Sequence, residues 1–167
     1  EDYHRPDPVT GELYSLPAFL SAFDPTGPWG RVAPSGAQER ARVASAAAQS
    51  ARVRIRIPAN TTIYGIGSSA VVRGAWFDVR PSSTSGNTPM NLIIRNVNFL
   101  DTADCFAAWD PTDGAAGNWN AAYDSISVRN STHVWIDHNR FADLRTSDET
   151  LPVLFGRIYQ VHDGLVD

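Results

Sequence analysis

The 167-residue sequence has a single cysteine, Cys105, so no disulfide can close within the chain, and packing, hydrogen bonds or a metal must hold the fold. It has no lysine: all 14 basic side chains are arginine, and with 18 acidic residues the formal net charge is -4. That balance disfavours a general nucleic-acid binder, which needs a cationic surface to release counterions from phosphates. No apolar run approaches the roughly 18 residues that a membrane-spanning helix requires. Glutamate is scarce as well, four against 14 aspartates, and the short Asp carboxylate suits turns, caps and calcium sites better than helix faces. What remains is a turn-rich chain, 43% hydrophobic, long enough to bury one domain's core. It opens at Glu1 without an initiator Met or a signal-like segment, which reads as a processed product or a fragment.

Residues 1–34 carry six prolines (Pro6, Pro8, Pro17, Pro25, Pro28 and Pro34), predicting an extended arm with little regular structure. Ser35, with Gln38 three residues on, has the spacing of a capping box and precedes an Ala- and Arg-rich run, so a helix is expected over residues 36–50. Its apolar face, mostly Ala and Val43, is too thin to nucleate a core, and a role as a cap across the end of a larger body follows.

From Arg52 the period changes to two. Val53, Ile55 and Ile57 alternate with Arg52, Arg54 and Arg56, which predicts a strand with an apolar inner face and a solvated arginine face. Short strand-like bursts follow at 62–64, 70–73, 76–79, 91–95, 125–129, 133–136, 140–141 and 158–161, punctuated by Gly, Asn, Asp and Ser. No amphipathic helix separates them, which argues against a doubly wound α/β sheet. Ile94 and Phe99 recur as Ile136 and Phe141 at an offset of 42 residues with equal internal spacing. Coils of a parallel β-helix would stack such residues in columns, with Ile63, Val97, Ile126, Val128 and Val134 also inside. An antiparallel sandwich of short strands is the competing architecture.

The strings Asn91-Leu92-Ile93-Ile94-Arg95-Asn96, Trp109-Asp110-Pro111-Thr112-Asp113-Gly114, Gly117-Asn118-Trp119-Asn120, Val134-Trp135-Ile136-Asp137-His138 and His162-Asp163-Gly164-Leu165-Val166-Asp167 together resemble the pectate lyase superfamily of polysaccharide lyases. Upstream, Ile57-Pro58-Ala59-Asn60-Thr61-Thr62-Ile63, followed by Gly65 and Gly67, is similar to the first rung of that family. The resemblance covers residues 35–167, which are read as the N-terminal part of a β-helix domain behind the 1–34 arm. It implies an all-β, right-handed parallel β-helix truncated at its C-terminal end. It also implies an extracellular, secreted location, a monomer for the whole protein, and calcium-assisted β-elimination cleavage of polygalacturonate.

In this resemblance the calcium ligands fall on Asp124, within Tyr123-Asp124-Ser125-Ile126, and on Asp163 and Asp167. Three carboxylates supply part of a shell of six to eight oxygens and leave room for water and substrate carboxylates. Some members carry a further acid two positions before the first Asp, where this chain has Ala122. The two later aspartates are four residues apart, about 13 Å on a straight strand, so a shared ion requires a bend, for which Gly164 is expected to supply the unusual φ. The family's general-base arginine lies downstream of His162–Asp167, so none is expected before Asp167 and the 167-residue chain by itself is expected to be inactive. Arg157 and Arg145 are candidates for contacting uronate carboxylates. His162 is expected to orient the metal site. Asp137 and His138 read as hydrogen-bonding strand-end residues, and Trp109, Trp119 and Tyr123 as an aromatic lid more than a sugar platform.

Three other functions fit parts of the pattern. A pectin lyase, acting without calcium on esterified substrate, conflicts with the intact acidic trio. A polygalacturonase needs closely set aspartates for acid and base work, and no adjacent Asp pair occurs. A non-catalytic polygalacturonate-binding β-helix module would keep the binding residues and dispense with the base.

Overall fold

The computed structural model describes residues 2–23, 31–82 and 86–167, so Pro25 and Pro28 of the expected arm lie outside the described residues. The chain divides into two compact units: Glu1–Arg52 with Asp104–Ala122 and Asp148–Val161, and Val53–Ala103 with Tyr123–Ser147 and His162–Asp167.

The second unit is built from nine short strands: β1 (Arg54–Arg56), β2 (Thr61–Tyr64), β3 (Val71–Arg73), β4 (Trp76–Val79), β5 (Thr88–Arg95), β6 (Asn98–Leu100), β9 (Ile126–Val128), β10 (Ser131–Asp137) and β11 (Arg140–Ala142). They form three ladders, β1-β4-β9, β2-β5-β10 and β3-β6-β11, with every pairing parallel. Each turn of chain visits the three ladders in the same order, which makes this unit a parallel β-helix and rules out the antiparallel sandwich. The 42-residue repeat is the register itself: Ile136 pairs with Ile94, and Phe141 with Phe99.

Inward columns follow from that register. Ile63, Ile94 and Ile136 stack in one, and Val72, Phe99 and Phe141 in another, where the two Phe rings lie 5.2 Å apart and nearly parallel. Phe77 sits above Ile126 and meets the edge of Phe99 at 5.1 Å. Left-handed backbone recurs at equivalent positions of the β2-β5-β10 ladder, just before β2 and as irregularities inside β5 and β10, and asparagine tolerates it better than most residues. Asn60, Asn91 and His133, at φ 60°, 51° and 56°, precede registered residues of β2, β5 and β10, and the Asn91 amide donates to Asn60 Oδ1 at 3.0 Å. Gly65 is obligatory for space, because a Cβ there would lie 1.9 Å from the Asn96 carbonyl oxygen.

Two expectations for residues 52–57 fail. Arg52 and Val53 finish the preceding helix, and Ile55 is 44% exposed on terminal strand β1. Arg54 is only partly solvated: it is ion-paired with the fully buried Asp78, which Arg80 engages from the other side at 2.7 Å, and its guanidinium lies 5.2 Å from the Trp76 ring centre. A carboxylate so deep requires such cations to offset its desolvation.

The first unit holds α1 (Leu16–Ala22), α2 (Ala37–Val53, but for its last residue), β7 (Ala108–Asp110), β8 (Asn118–Asn120), β12 (Val153–Leu154) and β13 (Arg157–Ile158). The proline-rich segment thus contains a short helix, started by Ser15, whose hydroxyl accepts from Ala18 N, and by Pro17 in the first turn. Helix α2 forms where expected, without the capping box: Gln38 accepts from Ser15 N at 2.9 Å and donates to the Leu13 carbonyl at 3.0 Å. Its buried stripe is polar. Gln38, Arg42, Ser45 and Gln49 point inward beside Ala41, whereas Val43 is half exposed. Arg42 donates to the Phe106 carbonyl, Ser45 accepts from Arg5 N, and Gln49 accepts from Cys105 N. The helix therefore satisfies the backbone of irregular segments, a task no hydrophobic pattern reports.

Strands β7 and β8 form an antiparallel hairpin that buries Trp109 and Trp119 among Phe19, Phe155 and Tyr159. These indoles form the first unit's own core, which excludes them as a sugar platform. Truncating Phe99, fully buried in the middle rung of the second unit, removes packing above and below at once. Phe99→Ala is expected to lower stability by about 3–5 kcal/mol, measured by denaturant melts, whereas Val43→Ala changes it by less than about 0.5 kcal/mol.

Candidate functional site

The last segment of the chain begins a further rung. Val166 bridges to Ile126 in parallel, Asp167 N donates to the Ile126 carbonyl at 3.0 Å, and Val128 N donates to the Asp167 carbonyl at 2.6 Å. His162, buried at the start of this segment, anchors it: Nδ1 lies 2.9 Å from the Thr102 carbonyl oxygen and Nε2 3.2 Å from that of Thr146. It thus holds the segment that bears Asp163 and Asp167.

Asp124 lies two residues before β9 and is 1% exposed. Its Oδ2 accepts a 2.5 Å hydrogen bond from Ser127 Oγ, which in turn accepts from Trp76 Nε1 at 2.7 Å. Its Oδ1 is buried and, among the described residues, has no hydrogen-bond partner. That oxygen lies against Gly164, where a Cβ would stand 2.9 Å away. Gly164 is absent from the residues with positive φ, so the expectation of an unusual backbone is corrected: glycine is needed here for the close approach of the carboxylate.

Asp163 is exposed, yet its carboxyl is pushed above the usual range, first by partial burial and then by the negative charges of Asp124 and Asp167. The Gly164 N–H and the Arg129 guanidinium act in the opposite direction. The three aspartates therefore share one electrostatic neighbourhood. They are not gathered at one point: among the described residues, no three His, Cys, Asp or Glu side chains stand close enough to hold a metal ion. Mutual repulsion between carboxylates with little cationic compensation favours that separation. Ser127, Trp76 and Arg129 were not singled out in the sequence. The signal for the first and last was period two, since Ser127 and Arg129 alternate with the inward Ile126 and Val128.

The two candidate arginines belong to different units. Arg145 is 74% exposed, its backbone N–H donates to Asp101 Oδ1 at 3.0 Å, and its guanidinium lies 3.7 Å from the same carboxylate. Arg157 donates to the Gly117 carbonyl at 3.2 Å and lines a cavity of about 430 Å³ with Asn118, Asp148, Gly156, Ile158 and Gln160. Asp137 accepts from or pairs with His138 Nδ1 at 2.6 Å and stands 3.6 Å from Arg95. It is a strand-end anchor of the β5–β10 pair, as its spacing suggested.

Two outcomes follow from this geometry. Ser127→Ala removes the hydroxyl from both Asp124 Oδ2 and the Trp76 indole and is expected to cost about 1–3 kcal/mol of stability in calcium-free buffer. For Asp163 the folded value lies above the unfolded one, so its ionised form opposes folding as pH rises through the folded value. In chelator, Asp163→Asn is expected to raise Tm at pH 7, with the gain fading as pH falls toward the ordinary Asp value of about 3.9.

A family model described as pectate lyase matches residues 32–167. The pectate lyase of Bacillus subtilis (strain 168) is 46% identical over 166 residues, covering 99% of this chain and 36% of that protein. Pectate lyase A of Dickeya chrysanthemi is 36% identical over 120 residues, covering 71% of this chain and 28% of that protein. A solved structure of a pectate lyase bound to hexasaccharide superimposes with a TM-score of 0.84 at 46% identity, over 99% of this chain and 38% of that one. The chain thus spans less than two fifths of the length of these relatives, and within that span the family model, the sequence identity and the backbone agree: it belongs to the pectate lyase family.

Proposed function

We propose that this chain contributes the calcium and uronate site of a secreted pectate lyase, which cleaves polygalacturonate by β-elimination. The observation that carries the proposal is the buried, unpartnered Asp124 Oδ1 beside Gly164, with Asp163 and Asp167 in the same field. A buried carboxylate oxygen without a donor costs stability unless a cation satisfies it, and an all-oxygen donor set of aspartates matches the chemistry of calcium. Asp124, Asp163 and Asp167 would hold the ion. When bound, calcium supplies charge neutralisation and Lewis acidity at the uronate carboxylate, next to the carbon that loses its proton.

The chain's own residues then divide the work. Ser127 and Trp76 fix the Asp124 carboxylate by a continuous hydrogen-bond chain, His162 fixes the loop that carries Asp163, and Arg129 moderates the negative field around it. Arg145 and Arg157 are proposed to bind uronate carboxylates, Arg145 with the more exposed guanidinium. The proton-abstracting arginine is assigned outside residues 1–167, so the 167-residue chain binds without turning over. The relative bound to a hexasaccharide supports an oligosaccharide ligand for the family's groove.

Formation of unsaturated product, followed by ultraviolet absorbance on polygalacturonate with and without chelator, tests the reading on the complete protein. Calcium-dependent product supports it, calcium-independent product from esterified pectin favours a pectin lyase, and binding without product favours a non-catalytic module. Calcium is also expected to raise Tm for the unmodified chain and to leave Asp124→Asn unmoved, since only the former gains from a ligand that binds the folded state.

A further inference from the structure

Strands alternate their side chains between faces, so the inward columns of the β2-β5-β10 ladder leave a second set pointing outward. That outward set is unusual. Trp135 is 63% exposed, Tyr64 59% and Ile93 41%. Trp135, Ile93 and Thr62 are register partners on successive rungs, as are Asp137, Arg95 and Tyr64 two positions further along. Adjacent to Trp135 a cavity of about 270 Å³ is lined by Asn91, Leu92, Ile93, His133, Val134 and Trp135. Among the described residues no hydrophobic core claims these outward rings, and a strand added beside β10 would bond to its edge and leave this face open.

Beside the indole, the Asp137 carboxyl stays below its usual range despite desolvation, because His138 Nδ1 lies 2.6 Å from it and Arg95 stands 3.6 Å away. An open aromatic ring beside an amide and an imidazole is the chemistry that recognises a sugar: the ring receives the C–H face of a pyranose, and Asn91 and His133 meet its hydroxyls. The charge narrows the class of sugar. The chain has 18 acidic residues, yet β2, β5 and β10 together carry one, Asp137, and it is already engaged by Arg95 and His138. This is the patch of an acidic protein that tolerates a polyanion without a metal. With rungs about 4.8 Å apart and residues about 3.3 Å apart along each strand, Trp135 and Tyr64 stand about 12 Å from one another, the span of a short oligosaccharide.

We propose that the outward face of β2-β5-β10 is a second, calcium-independent binding site for a polyuronate chain, in which Trp135 stacks on one sugar ring, Tyr64 on another, and Arg95 pairs with a carboxylate between them. The choice of a uronate polymer rests on the function proposed above. The site is carried by a different ladder from Asp124, which precedes β9 of the β1-β4-β9 ladder, so it tethers polymer and takes no part in bond cleavage.

The test is binding of tri- to hexagalacturonate to the full chain in excess chelator, by titration calorimetry, against cello-oligosaccharides of the same length. Trp135→Ala is expected to weaken oligogalacturonate binding about tenfold or more, Tyr64→Ala by less, and Arg95→Gln to abolish the preference over the neutral sugar. Asp163→Asn is expected to leave this binding unchanged, and circular dichroism to show all variants folded, because each altered ring or guanidinium faces outward. Equal binding by Trp135→Ala, equal affinity for the neutral sugar, or loss of binding in Asp163→Asn would each overturn the proposal. A protein that makes no unsaturated product yet binds oligogalacturonate through Trp135 would overturn the lyase reading and leave this site standing.

Discussion

The second unit depends on one constraint: each rung can bury its inward face only against the rung before and the rung after it. A three-residue strand is too short to be stable alone, and three ladders of such strands become stable because identical register carries Ile onto Ile and Phe onto Phe. The same register explains left-handed residues at equivalent places in successive rungs, Asn60 before β2, Asn91 within β5 and His133 within β10.

The acidic site follows from that arrangement. Asp124 belongs to one rung and Asp163 and Asp167 to the start of the next, so parallel stacking brings aspartates 39 and 43 residues apart in sequence into one field. The fold tolerates this at some cost: a carboxylate oxygen is buried without a donor, and Asp163 titrates above its normal range. Structures store such costs at functional positions, where a ligand relieves them. The close approach of Gly164 to Asp124 shows how local the requirement is, since a single methyl group would intrude on the carboxylate.

Much of this architecture was legible in the sequence because it repeats. The 42-residue echo of Ile94 and Phe99 was the register of β10 on β5 and of β11 on β6, and period two located most strands within one or two residues. What was not legible lacked a period. The polar buried stripe of α2 serves backbone groups that only the folded chain brings near it, and the Trp109–Trp119 hairpin reads as a loop because its strands are three residues long and separated by turn residues. Arg54 reads as solvated because its partner, Asp78, lies 24 residues away in sequence, on β4 two positions beyond Trp76, the register partner of Arg54. Of the candidate site, the three aspartates come from the motifs that carry the family resemblance; Ser127 and Trp76, which hold the first of them, have no such source, since a serine and a tryptophan 51 residues apart carry no joint signal.

The central proposal is that Asp124, Asp163 and Asp167, which share one electrostatic field across adjacent rungs, close on one calcium ion when it binds. An anomalous difference map from crystals grown with calcium tests it most directly. The account predicts a single peak within about 2.3–2.6 Å of a carboxylate oxygen from each of the three residues, with Asp124 Oδ1 among them. No peak, or a peak ligated by Asp163 and Asp167 while Asp124 Oδ1 stays unpartnered, would contradict it.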